Sequence, residues 1–186
     1  MQVRRVPHGR GASQSDFPVV KLESLVSWLF AGLPLHPLFV HAAVVSVPVV
    51  ALLAIAAAWL PRVRDWLGIV LPILSTVAFI ATLITKQSGE ALATQVRQTA
   101  AVTAHTGIAD IATAGAFLLF IGTWAQWGWL RFFVRPRPGR PEARVTRPGT
   151  VRAVSVVVSA ALTLVGVFAI VAIVIVGDSG ARAVWK

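Results

Sequence analysis

The sequence predicts an all-α integral membrane protein, a four-transmembrane-helix bundle preceded by a short interfacial amphipathic helix. Of its 186 residues, 56% are hydrophobic and 13% are charged, which is a far more apolar composition than that of an average soluble domain. Four apolar stretches run along the chain, and each is long enough to cross ~30 Å of hydrocarbon at ~1.5 Å per residue. The excess apolar surface is therefore expected to face the lipid bilayer.

The N-terminal part of the chain is expected to lie outside the hydrocarbon core. Residues 1–16 carry arginines among polar and small residues and are predicted to form a disordered basic tail. Residues 17–31 are predicted to form the interfacial amphipathic helix, because their polar side chains fall on one stripe after Pro18. A break at Gly32 and Pro34 ends this helix, and residues 32–186 form the transmembrane domain.

The membrane spans are predicted at residues 37–60, 66–85, 104–130 and 153–176. The first is uncharged throughout; Pro37 suits the first helical turn, and Pro48 is expected to bend the middle. Because the first two spans are joined by a very short connection, they must be antiparallel neighbours. An even number of crossings places both termini on one face of the membrane.

The distribution of positive charge predicts the orientation. Arginines concentrate in the connections 61–65 and 131–152, whereas the opposite face has fewer basic residues near its helix ends. The positive-inside rule therefore places these two connections in the cytoplasm and both termini outside. Tryptophans collect at the same face as an aromatic belt, namely Trp59, Trp66, Trp124, Trp127 and Trp129.

The basic connection 131–152 also predicts a partner. Its Pro-rich centre is expected to be an extended linker held against anionic lipid by its arginines. The formal net charge of +10 is thereby explained by membrane topology. No nucleic-acid partner is expected.

Composition excludes several kinds of chemistry. The chain has no Cys and no Tyr, and its single Met is Met1, so disulfides, iron–sulfur clusters, thiolate nucleophiles and tyrosyl chemistry are ruled out and a thioether ligand is not expected. No phosphate-binding loop, zinc signature or hydrolase elbow is present. An ordinary hydrolase or nucleotide enzyme is therefore not expected, and histidine is the remaining soft ligand.

Three histidines lie near the predicted extracytoplasmic end of the bundle. His41 falls about one turn inside the first span and His105 opens the third, so facing helices could present both as axial ligands of a b-type haem. His36 is a candidate alternative ligand. It lies about 140° around the helix from His41, and Pro37 is expected to push it off the helix towards a headgroup contact.

Polar residues at the same end are candidates to support these ligands. Glu90 or Asp110 could accept a hydrogen bond from a ligating imidazole, and Ser88 and Asp178 lie near the same face. A purely structural role is also open, in which Gly89 ends the second helix and Ser88 caps a short surface helix.

Four parts of the sequence resemble those of a known membrane protein family. They are Gly32-Leu33-Pro34-Leu35-His36-Pro37-Leu38-Phe39-Val40-His41, Thr85-Lys86-Gln87-Ser88-Gly89-Glu90, His105, and Gly177-Asp178-Ser179-Gly180-Ala181-Arg182-Ala183-Val184-Trp185. Through them residues 30–185 resemble the bacterial membrane family called domain of unknown function 2231. The resemblance implies four transmembrane helices in the bacterial inner membrane and a histidine-bearing site similar to that of small b-type cytochromes. Family members often carry His where this chain has Asp178, so here that position would act only as a carboxylate partner.

The sequence leaves three functions open. The first is a haem b-binding protein that transfers electrons between quinol, or another membrane donor, and an extracytoplasmic acceptor. The second is a cofactor-free accessory or scaffold protein. The third is a proton or metal-ion conductor that uses His41, Glu90 and Asp110, because ionisable groups at membrane depth often mark ion paths.

Overall fold

The computed structural model of the chain describes residues 29–30, 33–94, 97–134 and 148–185. Its helices are α1 (Leu35–Trp59), α2 (Pro61–Leu67), α3 (Val70–Ala93), α4 (Ala100–Trp129) and α5 (Pro148–Trp185), and a π-helical turn, Leu130–Val134, extends α4. The predicted tail 1–16, most of the predicted amphipathic helix 17–31 and the centre of the connection 131–152 lie outside the described residues.

Four of these helices are long and apolar enough to cross a membrane, over Phe39–Trp59, Val70–Ala93, Ala100–Val134 and Gly149–Arg182. The predicted all-α, multi-pass membrane bundle is thereby confirmed. α1 and α4 each pack between α3 and α5, so α1 and α4 face each other across the bundle. Successive long helices run in opposite directions. His36 and His105 therefore share one end, called here the histidine end, and α2 lies at the other, called the tryptophan end.

Small residues line the contacts between helices. Ala51, Ala54 and Ala57 of α1 are fully buried. Between α4 and α5, a side chain added at Gly115 would meet the Ala169 Cα atom at 3.2 Å. Such positions let helix backbones approach closely, which is how membrane helices gain packing without a hydrophobic driving force. Large apolar side chains such as Leu164, 72% exposed, point outward and supply a surface suited to lipid.

Tryptophan side chains tie the helices together at the tryptophan end. The indole N–H of Trp59 donates to Thr163 at 2.9 Å, and that of Trp129 donates to Ser155 at 3.1 Å. Trp124 donates to Thr76, also at 3.1 Å. Each bond joins two different helices, so the indoles satisfy their donors inside the bundle while their rings lie near its end.

The helix ends differ from the predicted ones. The second span was expected at 66–85, but α2 and α3 divide that region at Gly68, whose φ of 49° suits glycine. α3 then continues through Gly89 to Ala93, so no separate helix starts at Ser88. Leu29–Phe30 was expected to be the last part of the amphipathic helix, but it forms a short β-strand that pairs antiparallel with Leu33–Pro34. Helix α5 likewise continues past the predicted end at residue 176.

Candidate functional site

His36 lies in the first turn of α1 and contacts the end of α3. Its Nδ1 atom is 3.1 Å from the Thr85 carbonyl oxygen and 3.2 Å from the Ser88 hydroxyl. The ring covers Gly89, where an added Cβ atom would meet His36 Cε1 at 2.8 Å. The expected headgroup contact is therefore replaced by a contact between helices. Pro37 permits this because the first helical turn needs no N–H from that residue.

His105 makes the corresponding contact between α4 and α5. Its Nδ1 atom is 2.9 Å from the Ser179 hydroxyl. The ring covers Gly180, where an added Cβ atom would meet His105 Cε1 at 3.0 Å. A histidine near the start of one helix thus meets a Ser-Gly pair near the end of the next, for the second time in the chain.

The hydrogen bonds assign the tautomer of both rings. The Thr85 carbonyl can only accept, so Nδ1 of His36 carries the proton. Ser179 donates its one hydroxyl hydrogen to the Val176 carbonyl at 2.9 Å, so its oxygen accepts from Nδ1 of His105. In the neutral form of each imidazole the lone pair therefore lies on Nε2. This is the arrangement of many metal-ligating histidines, whose other nitrogen is fixed by a hydrogen bond.

The two imidazoles lie at the same end of the bundle. His36 lies in the first turn of α1 and His105 near the start of α4, and these two helices face each other across the bundle. Burial lowers the pKa of His36 below its ordinary value of 6.5, and the hydrogen bond to the Thr85 carbonyl opposes part of that effect. His36 is therefore neutral at pH 7, which is the form that can bind a metal.

The candidate carboxylates lie beside this region and bind cations. Lys86 is 2.6 Å from Glu90 and 3.2 Å from Asp110, so it joins α3 to α4. Asp178 pairs with Arg182 at 2.9 Å. Among the described contacts no carboxylate accepts a hydrogen bond from His36 or His105. The acceptors of these rings are serine hydroxyls and a carbonyl.

His41 lies on the exposed side of α1. The structure therefore places His36 and His105 in contacts between helices at the histidine end, whereas the sequence favoured His41 and His105. Ser88 was among the predicted residues, and it contacts His36 while being 1% exposed. Ser179 was not among them, although the repeated Ser-Gly pair could have indicated it.

The fold and this site define a class, a four-span helical membrane protein with two serine-oriented imidazoles at one end. No family model, no curated protein and no solved structure matches the chain. Membership of the family called domain of unknown function 2231 therefore stays a prediction from the residues quoted above.

Proposed function

We propose that this protein binds haem b at its histidine end and takes part in electron transfer in the bacterial inner membrane. His36 and His105 would be the axial ligands, each through Nε2. The observation that carries the proposal is the shared tautomer. Each ring donates Nδ1–H to a serine hydroxyl, and each of these hydroxyls is 2.9 Å from a carbonyl of its own helix.

The donor set suits a haem better than a bare metal ion. A porphyrin supplies the equatorial nitrogens itself, so two protein imidazoles complete the coordination of its iron. Among the described residues no group of three or more His, Asp and Glu side chains could hold an ion. Gly89 and Gly180 leave space for the two imidazole rings themselves, because neither glycine carries a Cβ atom.

Each residue of the site has a defined task in this proposal. Ser88 and Ser179 orient the imidazoles and increase their basicity by accepting the Nδ1 protons. The exposed apolar faces of the helices keep the region within lipid, where quinol or another membrane donor can reach it. A bound haem would supply one-electron redox chemistry.

An absorption spectrum tests the proposal. The protein is expressed with sufficient haem, purified in detergent and measured before and after dithionite. We expect a Soret band and sharpened bands on reduction. His36→Ala and His105→Ala should each remove most of this absorbance, because each deletes an axial ligand.

His41→Ala is the matched control, since His41 lies on the exposed side of the same helix as His36. It should keep the full spectrum. Bands that survive both His36→Ala and His105→Ala would rule out these ligands. Loss of the bands in His41→Ala alone would instead favour the pair predicted from the sequence.

A second candidate is a cofactor-free accessory or scaffold protein, and one observation favours it. Both imidazoles fill the space over a glycine and hydrogen-bond to the neighbouring helix, so they already act as contacts between helices. In that case folded protein supplied with haem gives a featureless spectrum. His36→Ala and His105→Ala then lower only the melting temperature.

The ion-conductor hypothesis has no comparable support. Glu90 and Asp110 are exposed and share Lys86, so two of its three residues already pair with the same lysine at the surface of the bundle. Flux in proteoliposomes that does not change when His41, Glu90 and Asp110 are replaced would dispose of this hypothesis.

A further inference from the structure

A cleft opens at the tryptophan end of the bundle, between α2, the start of α3 and the end of α4. Its polar wall includes Arg64, Gln126 and Arg131, and its apolar wall includes Leu71 and Trp127. Water-sized groups can occupy about 30 Å³ of this cleft, which is room for about two oxygen-sized groups. The remainder of the cleft is open, so a larger ligand would enter only by its tip.

The side chain of Gln126 lacks a protein partner in this cleft. Gln126 is 4% exposed, and none of the hydrogen bonds among the described residues involves its amide. The amide atoms of Gln126 are not among the fully buried unpaired polar atoms of the described residues, so they keep access to the cleft that this residue lines. The amide N–H groups are therefore available to a ligand that accepts a hydrogen bond in the cleft.

The charge at the mouth of the cleft indicates the sign of that ligand. Within the described part of the chain, Arg64 and Arg131 form no ion pair with a carboxylate. Asp65, the acidic residue next to Arg64, does not line the cleft. Two guanidinium groups and an amide donor are the groups that bind phosphate oxygens, often in bidentate fashion.

We propose that this cleft binds a phosphate anion, with one oxygen directed at Gln126 and the others at Arg64 and Arg131. Two sources share this chemistry, the headgroup of an anionic phospholipid and free inorganic phosphate. A lipid suits the surroundings, because basic pockets between membrane helices bind such headgroups. A second, apolar depression is lined by Trp66, Leu67 and Val70, which neighbour the cleft residues Arg64, Gly68 and Leu71 in the sequence. This depression could receive an acyl chain of the lipid.

Native mass spectrometry of the detergent-purified protein tests the proposal. Phosphatidylglycerol is titrated in one arm, phosphatidylcholine in a second and inorganic phosphate in a third. We expect saturable binding of phosphatidylglycerol. Arg64→Ala combined with Arg131→Ala should weaken it at least about tenfold, since hydrogen bonds to charged groups are lost.

Gln126→Leu removes the amide and keeps a side chain of similar length, so it should weaken binding about three- to tenfold without unfolding the bundle. Arg62→Ala is the matched control, because Arg62 lies exposed on α2 and does not line the cleft. Inorganic phosphate that binds with the same dependence on Arg64 and Arg131 identifies the soluble source. Binding that is unchanged in the double variant, or equally weakened in Arg62→Ala, overturns the proposal. These readouts do not involve haem, so they are independent of the proposed function.

Discussion

Each imidazole of the candidate site lies on a glycine, and this pairing explains why these particular histidines face the bundle. The His36 ring occupies the space that a Cβ atom of Gly89 would need, and the His105 ring does the same at Gly180. A ring in van der Waals contact with a helix backbone can also reach the hydroxyl of the preceding serine. The Ser-Gly pair therefore provides both the space and the hydrogen-bond acceptor.

The sequence could show that His36 and His41 do not share a helical face, but not which of them faces inward. That choice depends on the rotation of α1 about its axis. The rotation is set by its alanine face, of which Ala43, Ala54 and Ala57 are buried. His36 is seven positions, or about two turns, before Ala43 and lies on that face. Local periodicity around Pro37 alone did not reveal this.

The titration of His36 gives a prediction about stability. Burial lowers its pKa in the folded protein below the ordinary 6.5, so the unfolded chain binds the proton more tightly. Stability should therefore be constant at high pH, fall as the pH drops below 6.5, and level off below the folded pKa. Thermal unfolding of the haem-free protein in detergent between pH 8 and pH 5 measures this.

One variant isolates the contribution of His36 in that experiment. His36→Gln removes the group with the lowered pKa, so the decline in melting temperature should become shallower. A profile that is equally steep in wild type and His36→Gln would contradict the assignment.

At the scale of the elements, small residues decide how closely the helices pack. Gly115 of α4 faces the backbone of Ala169 in α5. Gly166 of α5 faces α1, where a Cβ atom added at this glycine would lie 3.4 Å from the carbonyl oxygen of Ala51. Backbone atoms cannot move aside as a flexible side chain can. Helix α5 therefore packs closely against α4 at Gly115 and against α1 at Gly166, because neither glycine has a side chain that would keep the backbones apart.

Gly115→Ala tests this packing. Its new Cβ atom would lie 3.2 Å from the Ala169 Cα atom, so α4 and α5 must separate slightly, at a cost of about 1–3 kcal/mol. Gly107→Ala is the control in the same helix, because no heavy atom lies within 4 Å of its would-be Cβ. That variant should be neutral or more stable by up to about 1 kcal/mol. Denaturation of both purified variants in mixed detergent compares them, and equal stabilities would refute the close contact.

The existence of the long helices followed from hydropathy, but their ends did not. Apolar length marks where a helix can cross lipid, yet α3 and α5 continue beyond that length through residues such as Lys86 and Arg182. These residues form i,i+4 ion pairs with Glu90 and Asp178 on the extended turns. The Ser-Gly pairs consequently lie inside helices, where sequence reasoning had placed helix ends.

At the scale of the whole molecule, the bundle consists of two similar halves. α1 and α3 form one and α4 and α5 the other, and each half joins a histidine to a Ser-Gly pair. Exchanging α1 with α4 and α3 with α5 preserves the order of neighbours around the bundle. The candidate site therefore takes one histidine from each half at the histidine end. Composition indicated its chemistry, a histidine site, whereas its residues required the packing of all four long helices.

The arrangement of the halves also makes a testable statement about orientation. Both halves begin at the histidine end and turn at the tryptophan end, so all basic connections of the tryptophan end must lie on one side of the membrane. Arg62, Arg64 and Arg131 lie at that end. The positive-inside rule predicts that they lie in the cytoplasm and hence that the histidine end faces outward.

Reporter fusions decide this orientation. A reporter that is active only outside the cytoplasm should be active when fused after Lys186 and inactive when fused after Arg140, within the connection between α4 and α5. A reporter that fluoresces only in the cytoplasm should give the opposite pair of results. Each fusion is thus the control for the other, because the two fusion points are predicted to lie on opposite sides of the membrane. A cytoplasmic signal after Lys186 would reverse the topology, and the proposed electron transfer would then require a cytoplasmic partner.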